Sequence, residues 1–305
     1  MQNNKRKDQK PSWQVWWRLL RPHTLTASFI PVSIGTALAI QYAKIDLLLF
    51  GAMLLACILI QAATNMFNEY YDYVRGLDTA ESVGIGGTIV RDGVHPKVVL
   101  RLAMAFLVLA TLFGGYICYQ SSWWIALIGL VSMAVGYLYT GGPYPIAYTP
   151  LGELVSGFLM GTVITMISFF IQTGIVSWQS FIISVPILVL VGAIMMSNNI
   201  RDLEGDKAKG RRTLAILLGK ESAIKFMAGM FIFSYLWVLI LVVINYLSPW
   251  LLLVLLSVPK PIKAIGGFKN NNLPIKMMPA MRATAQTNTF FGFLLVMGLL
   301  ISNMF

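Results

Sequence analysis

Charge is what this 305-residue chain has least of: Asp, Glu, Lys and Arg together make up 11% of it, against about 25% in an ordinary soluble domain. So little polar surface excludes a water-soluble globule, and lipid must solvate much of the chain. Cysteine is scarce as well. Cys57 and Cys118 both fall inside apolar runs, which excludes a disulfide framework and a thiolate zinc site. The two histidines, His23 and His95, have no metal-ligand spacing. Acids are outnumbered, 12 against 23 Lys and Arg, for a net charge of +11. Those bases lie between apolar spans, where topology and anionic headgroups account for them, so nucleic acid is not an expected partner.

Apolar residues make up 57% of the chain and recur in runs of about twenty. The runs are continuous rather than alternating, which selects helices over a barrel. The spacing predicts spans at 24–43, 47–68, 98–119, 123–139, 154–171, 181–199, 223–246, 250–258 with a few neighbours, and 290–304. The eighth is short because Pro259 and Pro261 end it. The expected fold is an all-α membrane bundle of about nine transmembrane helices, arranged as two four-helix halves plus one.

With the N-terminus on the cytoplasmic side, every Lys and Arg except Lys44 falls on the inside, as the positive-inside rule requires. Residues 1–20 read as a basic cytoplasmic tail and an interfacial segment, with Trp13, Trp16 and Trp17 as an aromatic belt. Residues 21–305 read as a single transmembrane domain. No short apolar core with a small-residue cleavage site follows the polar start, so the tail is expected to be retained. Four inside segments are long: 69–97, 140–153, 200–222 and 259–284.

Two acidic clusters stand at the inside ends of the second and sixth spans. The first reads Asn68-Glu69-Tyr70-Tyr71-Asp72, with Arg75, Gly76 and Asp78 following; the second reads Asn198-Asn199-Ile200-Arg201-Asp202, with Glu204 and Asp206 following. Asn-x3-Asp puts both side chains on one helix face. In the second cluster Asn198, Asp202 and Asp206 form one stripe, whereas in the first Gly76 breaks the helix and Asp78 returns from the loop. Ionisable groups beside hydrocarbon are costly and functional by default. Glu69 and Glu204 fall off the stripes, and Glu81, Asp92 and Glu221 read as solvated loop acids.

Carboxylate and amide oxygens from Asn68, Asp72, Asp78, Asn198, Asp202 and Asp206 are hard donors suited to Mg²⁺, which keeps waters and completes its shell with phosphate oxygens. Two facing clusters suit a pair of Mg²⁺ ions on a diphosphate. Asn68, Asp72, Asp202 and Asp206 are the candidate catalytic set. Arg75, Arg201, Arg211, Arg212 and Lys207 are nearby cationic donors for phosphate. A secondary transporter would place its charges near the bilayer midplane instead.

On these motifs the chain resembles the UbiA superfamily of intramembrane aromatic prenyltransferases, over roughly 21–219. The resemblance implies nine helices, Mg²⁺ and a polyprenyl diphosphate substrate. Three stretches are most similar to its 1,4-dihydroxy-2-naphthoate branch, which serves menaquinone synthesis: Asn68 to Asp78, Gly141-Gly142-Pro143-Tyr144-Pro145 with Gly152-Glu153, and Asn198 to Asp202 followed by Gly210-Arg211-Arg212-Thr213-Leu214. The 4-hydroxybenzoate enzymes carry Lys-Arg in the loop after the fourth helix, and here that loop has no basic residue. Arg21 is the candidate replacement cation. Other acceptors within the superfamily are haem, chlorophyllide and glycerol phosphate lipids.

The resemblance further implies that the prenyl group passes to the ring carbon bearing the carboxylate, with loss of CO2 and diphosphate, giving demethylmenaquinone at the cell (plasma) membrane on its cytoplasmic side. Little proton abstraction is then needed, so no general base is expected. Tyr70, Tyr71, Tyr139, Tyr144 and Tyr148 are candidates to shield an allylic cation. The substrate-binding set is therefore Arg21, Arg75, Arg201, Tyr139 and Tyr148.

Overall fold

The computed structural model describes residues 12–22, 24–78 and 87–304. His23, Glu81 and the basic tail at 1–11 lie outside the described residues. All regular structure among the described residues is helical. Seven helical segments are long and apolar enough to cross a membrane: Leu47–Val74, Pro96–Gln120, Gly152–Thr173, Trp178–Ala208, Lys220–Val243, Pro249–Lys269 and Pro274–Ser302. Two shorter apolar helices, Thr26–Ala39 and Trp124–Thr140, stand where the first and fourth spans are expected.

In chain order, α1 (Trp13–Leu20) is amphipathic, α2 (Thr26–Ala39) follows, and α3 (Leu47–Val74) carries the first motif. Then come α4 (Thr88–Asp92), α5 (Pro96–Gln120) and α6 (Trp124–Thr140). Next, α7 (Gly152–Gly157) runs through a π-helical turn (Phe158–Val163) into α8 (Ile164–Thr173). The second motif rides on α9 (Trp178–Ala208), followed by α10 (Leu214–Leu218) and α11 (Lys220–Val243). A 3₁₀ run (Pro249–Ser257) leads into α12 (Pro259–Lys269), and α13 (Pro274–Ser302) closes the chain.

Length explains where the motifs sit. At 1.5 Å per residue α3 and α9 are about 42 and 46 Å long, well beyond the ~30 Å hydrocarbon core. Their last turns therefore carry polar residues out of the apolar slab without leaving the helix. The Asp46 carboxylate caps α3 by accepting from the amides of Leu48 (2.8 Å) and Leu49 (3.1 Å). Ser177 Oγ caps α9 by accepting from the Gln179 amide at 3.1 Å. Two glycines of the α7 segment set how closely α9 approaches. A Cβ on Gly157 would stand 2.3 Å from the Leu188 carbonyl oxygen, and one on Gly161 2.5 Å from the Leu188 Cα, so these backbones touch.

Two expectations need correction. The eighth span does not end at Pro259. Pro259 opens α12, at a position where the missing N–H is no loss. Likewise the last helix begins at Pro274, not near residue 290, so the expected basic loop at 259–284 is two helices and a short turn. Thr284, Gln286, Thr287 and Asn288 lower the average hydropathy there, yet Thr284, Thr287 and Asn288 face inward and are buried. The last helix is not an appendage, since α13 packs against α2, α9 and α12. In α1, Val15 and Leu19 are buried while Trp13 and Trp17 stack outward with ring centroids 6.3 Å apart. Trp16 instead packs partly against the core cluster that contains Phe67.

Candidate active site

The ends of α3 and α9 converge on one cavity of about 730 Å³, within the size range of ligand sites. Its mouth is lined by Asn68, Asp72 and Asp78 from the first motif and by Asn198, Asp202 and Asp206 from the second. All six expected oxygen donors therefore border the same space. Away from the mouth the lining is mostly small and apolar, with a few neutral polar groups such as Gln61, Thr64 and Ser132. The cavity is walled by Gly114 and Gly115 of α5, Gly129 and Gly136 of α6, and Leu159 and Met160 of the π-helical turn. Met53 and Asp72 both line it, and stand about 28 Å apart along α3. Ile117, Cys118 and Trp123 lie toward the Met53 end. The chamber thus runs most of the depth of a bilayer, with charge at one end only. That asymmetry is the opposite of a midplane transport site.

Local chain geometry builds the first motif. Gly76, at φ +67°, ends α3 in the left-handed conformation that glycine adopts freely. The chain then folds back, and the amides of Leu77 and Asp78 both donate to the Asp72 carbonyl, at 2.7 and 3.2 Å. This return puts Asp78 beside Asp72 and Glu69. Burial, followed by those two charges, pushes the Asp78 carboxyl up to about 6, against the pull of Arg21 and Lys209. Lys209 Nζ donates to the Leu77 carbonyl, tying the end of α9 to this turn.

Arginines pair with Asp72, Asp202 and Asp206 at the mouth, and with Glu69 behind it. Arg21 has a left-handed backbone, φ 50°, which a non-glycine residue adopts at a cost. From there its guanidinium donates to Asn68 Oδ1 at 2.9 Å and stands 3.5 Å from Glu69. Arg201 grips Asp202 side-on, and its Nη1 also faces the sulfurs of Met278 and Met281. Arg211 spans the two motifs: Nη2 lies 2.7 Å from Asp72 and Nη1 3.2 Å from Asp206.

Several expected residues are placed differently. Arg75 does not line the cavity: its guanidinium donates to the carbonyls of Thr140 and Gly142 and lies over the rings of Tyr71 and Tyr148. It clamps the loop after α6, because its position beyond the end of α3 aims it sideways. Tyr148 also stays outside the cavity, as the platform beneath Arg75 and Arg211. Of the five tyrosines only Tyr139 borders the chamber; Tyr70, Tyr71 and Tyr144 do not. Arg212 and Lys207 are absent from the lining, whereas Arg211, Lys209 and Lys220 are part of it.

Two acids have roles that their sequence context did not assign. Glu69 is fully buried and accepts from the Gly87 amide (2.8 Å), Thr88 Oγ1 (2.9 Å) and the Ile89 amide (3.2 Å). It is a structural tie between α3 and α4. Glu153, 5% exposed, accepts from Asn199 Nδ2 at 2.8 Å and so orients an amide that borders the chamber. Asp92, expected as a solvated loop acid, is instead the last residue of α4, with its side chain 16% exposed and paired with Arg18 at 2.9 Å.

The donor set suits a hard divalent cation. The acid and amide oxygens at the mouth are hard donors, interleaved with guanidinium and ammonium groups, and Cys57 and Cys118 lie deep in the apolar part. Among the described residues no three acids, histidines or cysteines form a metal centre by themselves. Such a set fits Mg²⁺ bound through one or two carboxylates and completed by phosphate oxygens and water. A guanidinium already stands between Asp72 and Asp206, marking that point as one where positive charge is held.

Residues 28–267 match the model of the UbiA prenyltransferase family. The chain belongs to that family. Among UbiA relatives, it is 63% identical to the 1,4-dihydroxy-2-naphthoate octaprenyltransferase of Bacillus subtilis (strain 168), over 95% of this chain and 93% of that one. It is 31% identical to UbiA prenyltransferase domain-containing protein 1 of Xenopus tropicalis, over 93% of this chain and 81% of the relative. Among solved structures, a UbiA homolog from Aeropyrum pernix K1 in its apo form superimposes with a TM-score of 0.67 at 17% identity, over 93% of this chain and 98% of the homolog. A UbiA homolog from Archaeoglobus fulgidus bound to GPP and Mg²⁺ gives 0.64 at 17% identity, over 92% and 99%. These last two establish the UbiA fold: an all-helical, multi-pass membrane bundle.

Proposed function

We propose that this chain transfers a polyprenyl group from polyprenyl diphosphate to 1,4-dihydroxy-2-naphthoate, with loss of CO2 and diphosphate, to give demethylmenaquinone in its reduced form. The identity to the Bacillus subtilis enzyme supports the acceptor. The observation that carries the chemistry is the chamber itself: two acid motifs face each other across the mouth of an apolar cavity long enough for a polyprenyl tail.

Asn68, Asp72 and Asp78 on one side, and Asn198, Asp202 and Asp206 on the other, would hold Mg²⁺. When bound, that ion supplies the positive charge that stabilises diphosphate as it leaves. The remaining steps belong to the chain's own residues. Arg21, Arg201 and Lys209 border the mouth and supply donors to phosphate oxygens. Tyr139 offers its ring to the allylic carbon as the C–O bond to diphosphate breaks. The apolar wall keeps water from that carbon, so the electron-rich naphthoate ring captures it instead. The new C–C bond forms at the carbon bearing the carboxylate. The electron pair left by departing CO2 restores the aromatic ring, so no side chain need remove a proton. The excess of Lys and Arg at the motif end supports a cytoplasmic active site in the plasma membrane.

The test combines product and variant analysis. Full-length protein in detergent or liposomes is supplied with dihydroxynaphthoate, Mg²⁺ and prenyl diphosphates of mixed length, and products are read by mass. The expected product carries one prenyl group and lacks the carboxyl. Asp72→Asn and Asp202→Asn should each lose Mg²⁺-dependent turnover while still inserting in membranes. Near-normal turnover in both removes the metal-binding role, and prenylation of another acceptor in preference removes the naphthoate reading.

A further inference from the structure

The bridge made by Arg211 is the feature that the reaction leaves unused. The guanidinium lies with Nη2 2.7 Å from Asp72 Oδ1, and with Nη1 3.2 Å from Asp206 Oδ1 and 3.4 Å from Asp206 Oδ2. It covers the Tyr148 ring at 4.7 Å. The backbone is anchored independently of the side chain: the Arg211 amide donates to the Asp206 carbonyl at 3.0 Å, and the Arg212 amide to the Tyr148 carbonyl at 2.9 Å. All three side chains in the bridge are 12–15% exposed, so the pairing is shielded from water. Yet it is incomplete, because Arg211 Nε is buried without a hydrogen-bond partner.

A divalent cation held by Asp72 and Asp206 and a guanidinium between the same two carboxylates exclude one another, by charge and by space. We propose that Arg211 is a resident counter-cation that keeps the two motifs paired while no metal is present, and that incoming diphosphate draws it off the carboxylates so that metal can enter. The side chain swings on a fixed backbone from Asp72 and Asp206 to phosphate oxygens, where its planar fork finds equivalent partners. No bond is made or broken. Metal and diphosphate then bind with positive coupling, each strengthening the other by the same factor. The consequence for the site is order: metal alone binds weakly, and the assembled site forms only around a diphosphate. Arg211 acts here as a positioning residue.

This inference rests on the metal-dependent function proposed above, and the test separates the two. Mn²⁺ retained by the full-length detergent-solubilised protein is measured by electron paramagnetic resonance during titration, without and with inorganic pyrophosphate. Expected is weak Mn²⁺ binding to the wild-type protein alone and at least about tenfold tighter retention with pyrophosphate. Arg211→Gln should bind Mn²⁺ alone about tenfold more tightly than wild type, and should gain less from pyrophosphate. Arg211→Lys keeps a charge but cannot bridge two carboxylates, and should shift the same way by a smaller factor. It also serves if the Gln variant does not fold. Wild-type binding with unchanged or weaker Mn²⁺ affinity in the variants overturns the counter-cation role alone. No Mn²⁺ retention by the wild type in either condition overturns both this role and the metal-dependent function.

Discussion

Arg21 and Asn68 are joined by a hydrogen bond of 2.9 Å between Nη1 and Oδ1, across the junction of α1 and α3. Arg21 borders the mouth from a strained left-handed backbone, and the loop after α6 has no basic residue. Arg21→Ala should therefore raise the KM for prenyl diphosphate by about tenfold or more, the scale of a lost charge-assisted hydrogen bond. The KM for the naphthoate should change little. Equal effects on both substrates would count against a phosphate role.

Glu69 stands next to Asn68 but serves the fold. Replacing its carboxylate by an amide, Glu69→Gln, swaps one acceptor oxygen for an NH2 donor that faces donors already pointing at it. Loss of about 2–3 kcal/mol is expected from the unsatisfied buried groups, read as a lower unfolding temperature in detergent. A fall in kcat with unchanged unfolding temperature would point to a direct catalytic role instead.

Arg75 gives the contrasting case within the same motif. Its contacts are the carbonyls of Thr140 and Gly142, so Arg75→Ala should loosen the loop after α6 and lower thermal stability. The KM for prenyl diphosphate should stay within about twofold, because the guanidinium does not border the chamber. A large, selective rise in that KM would return Arg75 to the phosphate site.

Gly115 and Gly129 line the chamber, and a Cβ built on either meets nothing within 4 Å. Gly129→Leu should therefore fill empty volume rather than clash with the bundle. The expected outcome is selective: kcat/KM for an eight-unit donor falls at least about tenfold more than for a two-unit donor. Equal losses for both lengths would mean that the tail lies elsewhere.

The motifs were legible because a four-residue period on a helix leaves little choice of geometry. Asn198, Asp202 and Asp206 lie on one continuous helix, and Gly76 returns Asp78 to the first motif, both as the spacing predicts. The α12–α13 region was illegible because average hydropathy ignores which face a side chain takes. Asn288 and Lys263 both lower it, but Asn288 is 0% exposed while Lys263 lies on the outer face of α12. The same limit applies within the site. Proximity in sequence put Arg75 beside the acids, but only the direction of its side chain shows that it clamps a loop. The Arg211 bridge links positions 139 residues apart, and no local pattern encodes it. Its nearest trace is the Gly210-Arg211-Arg212 segment that follows the second motif.

The length of the chamber also decides how cargo moves. A tail that enters between helices stays in hydrocarbon throughout the reaction, and only the head group ever meets the aqueous side. Turnover is then a matter of two-dimensional traffic, in which a spent quinol must slip back among the lipids before a fresh donor takes its berth. Crowding of the bilayer by its own product should slow the enzyme more than any soluble competitor of similar shape.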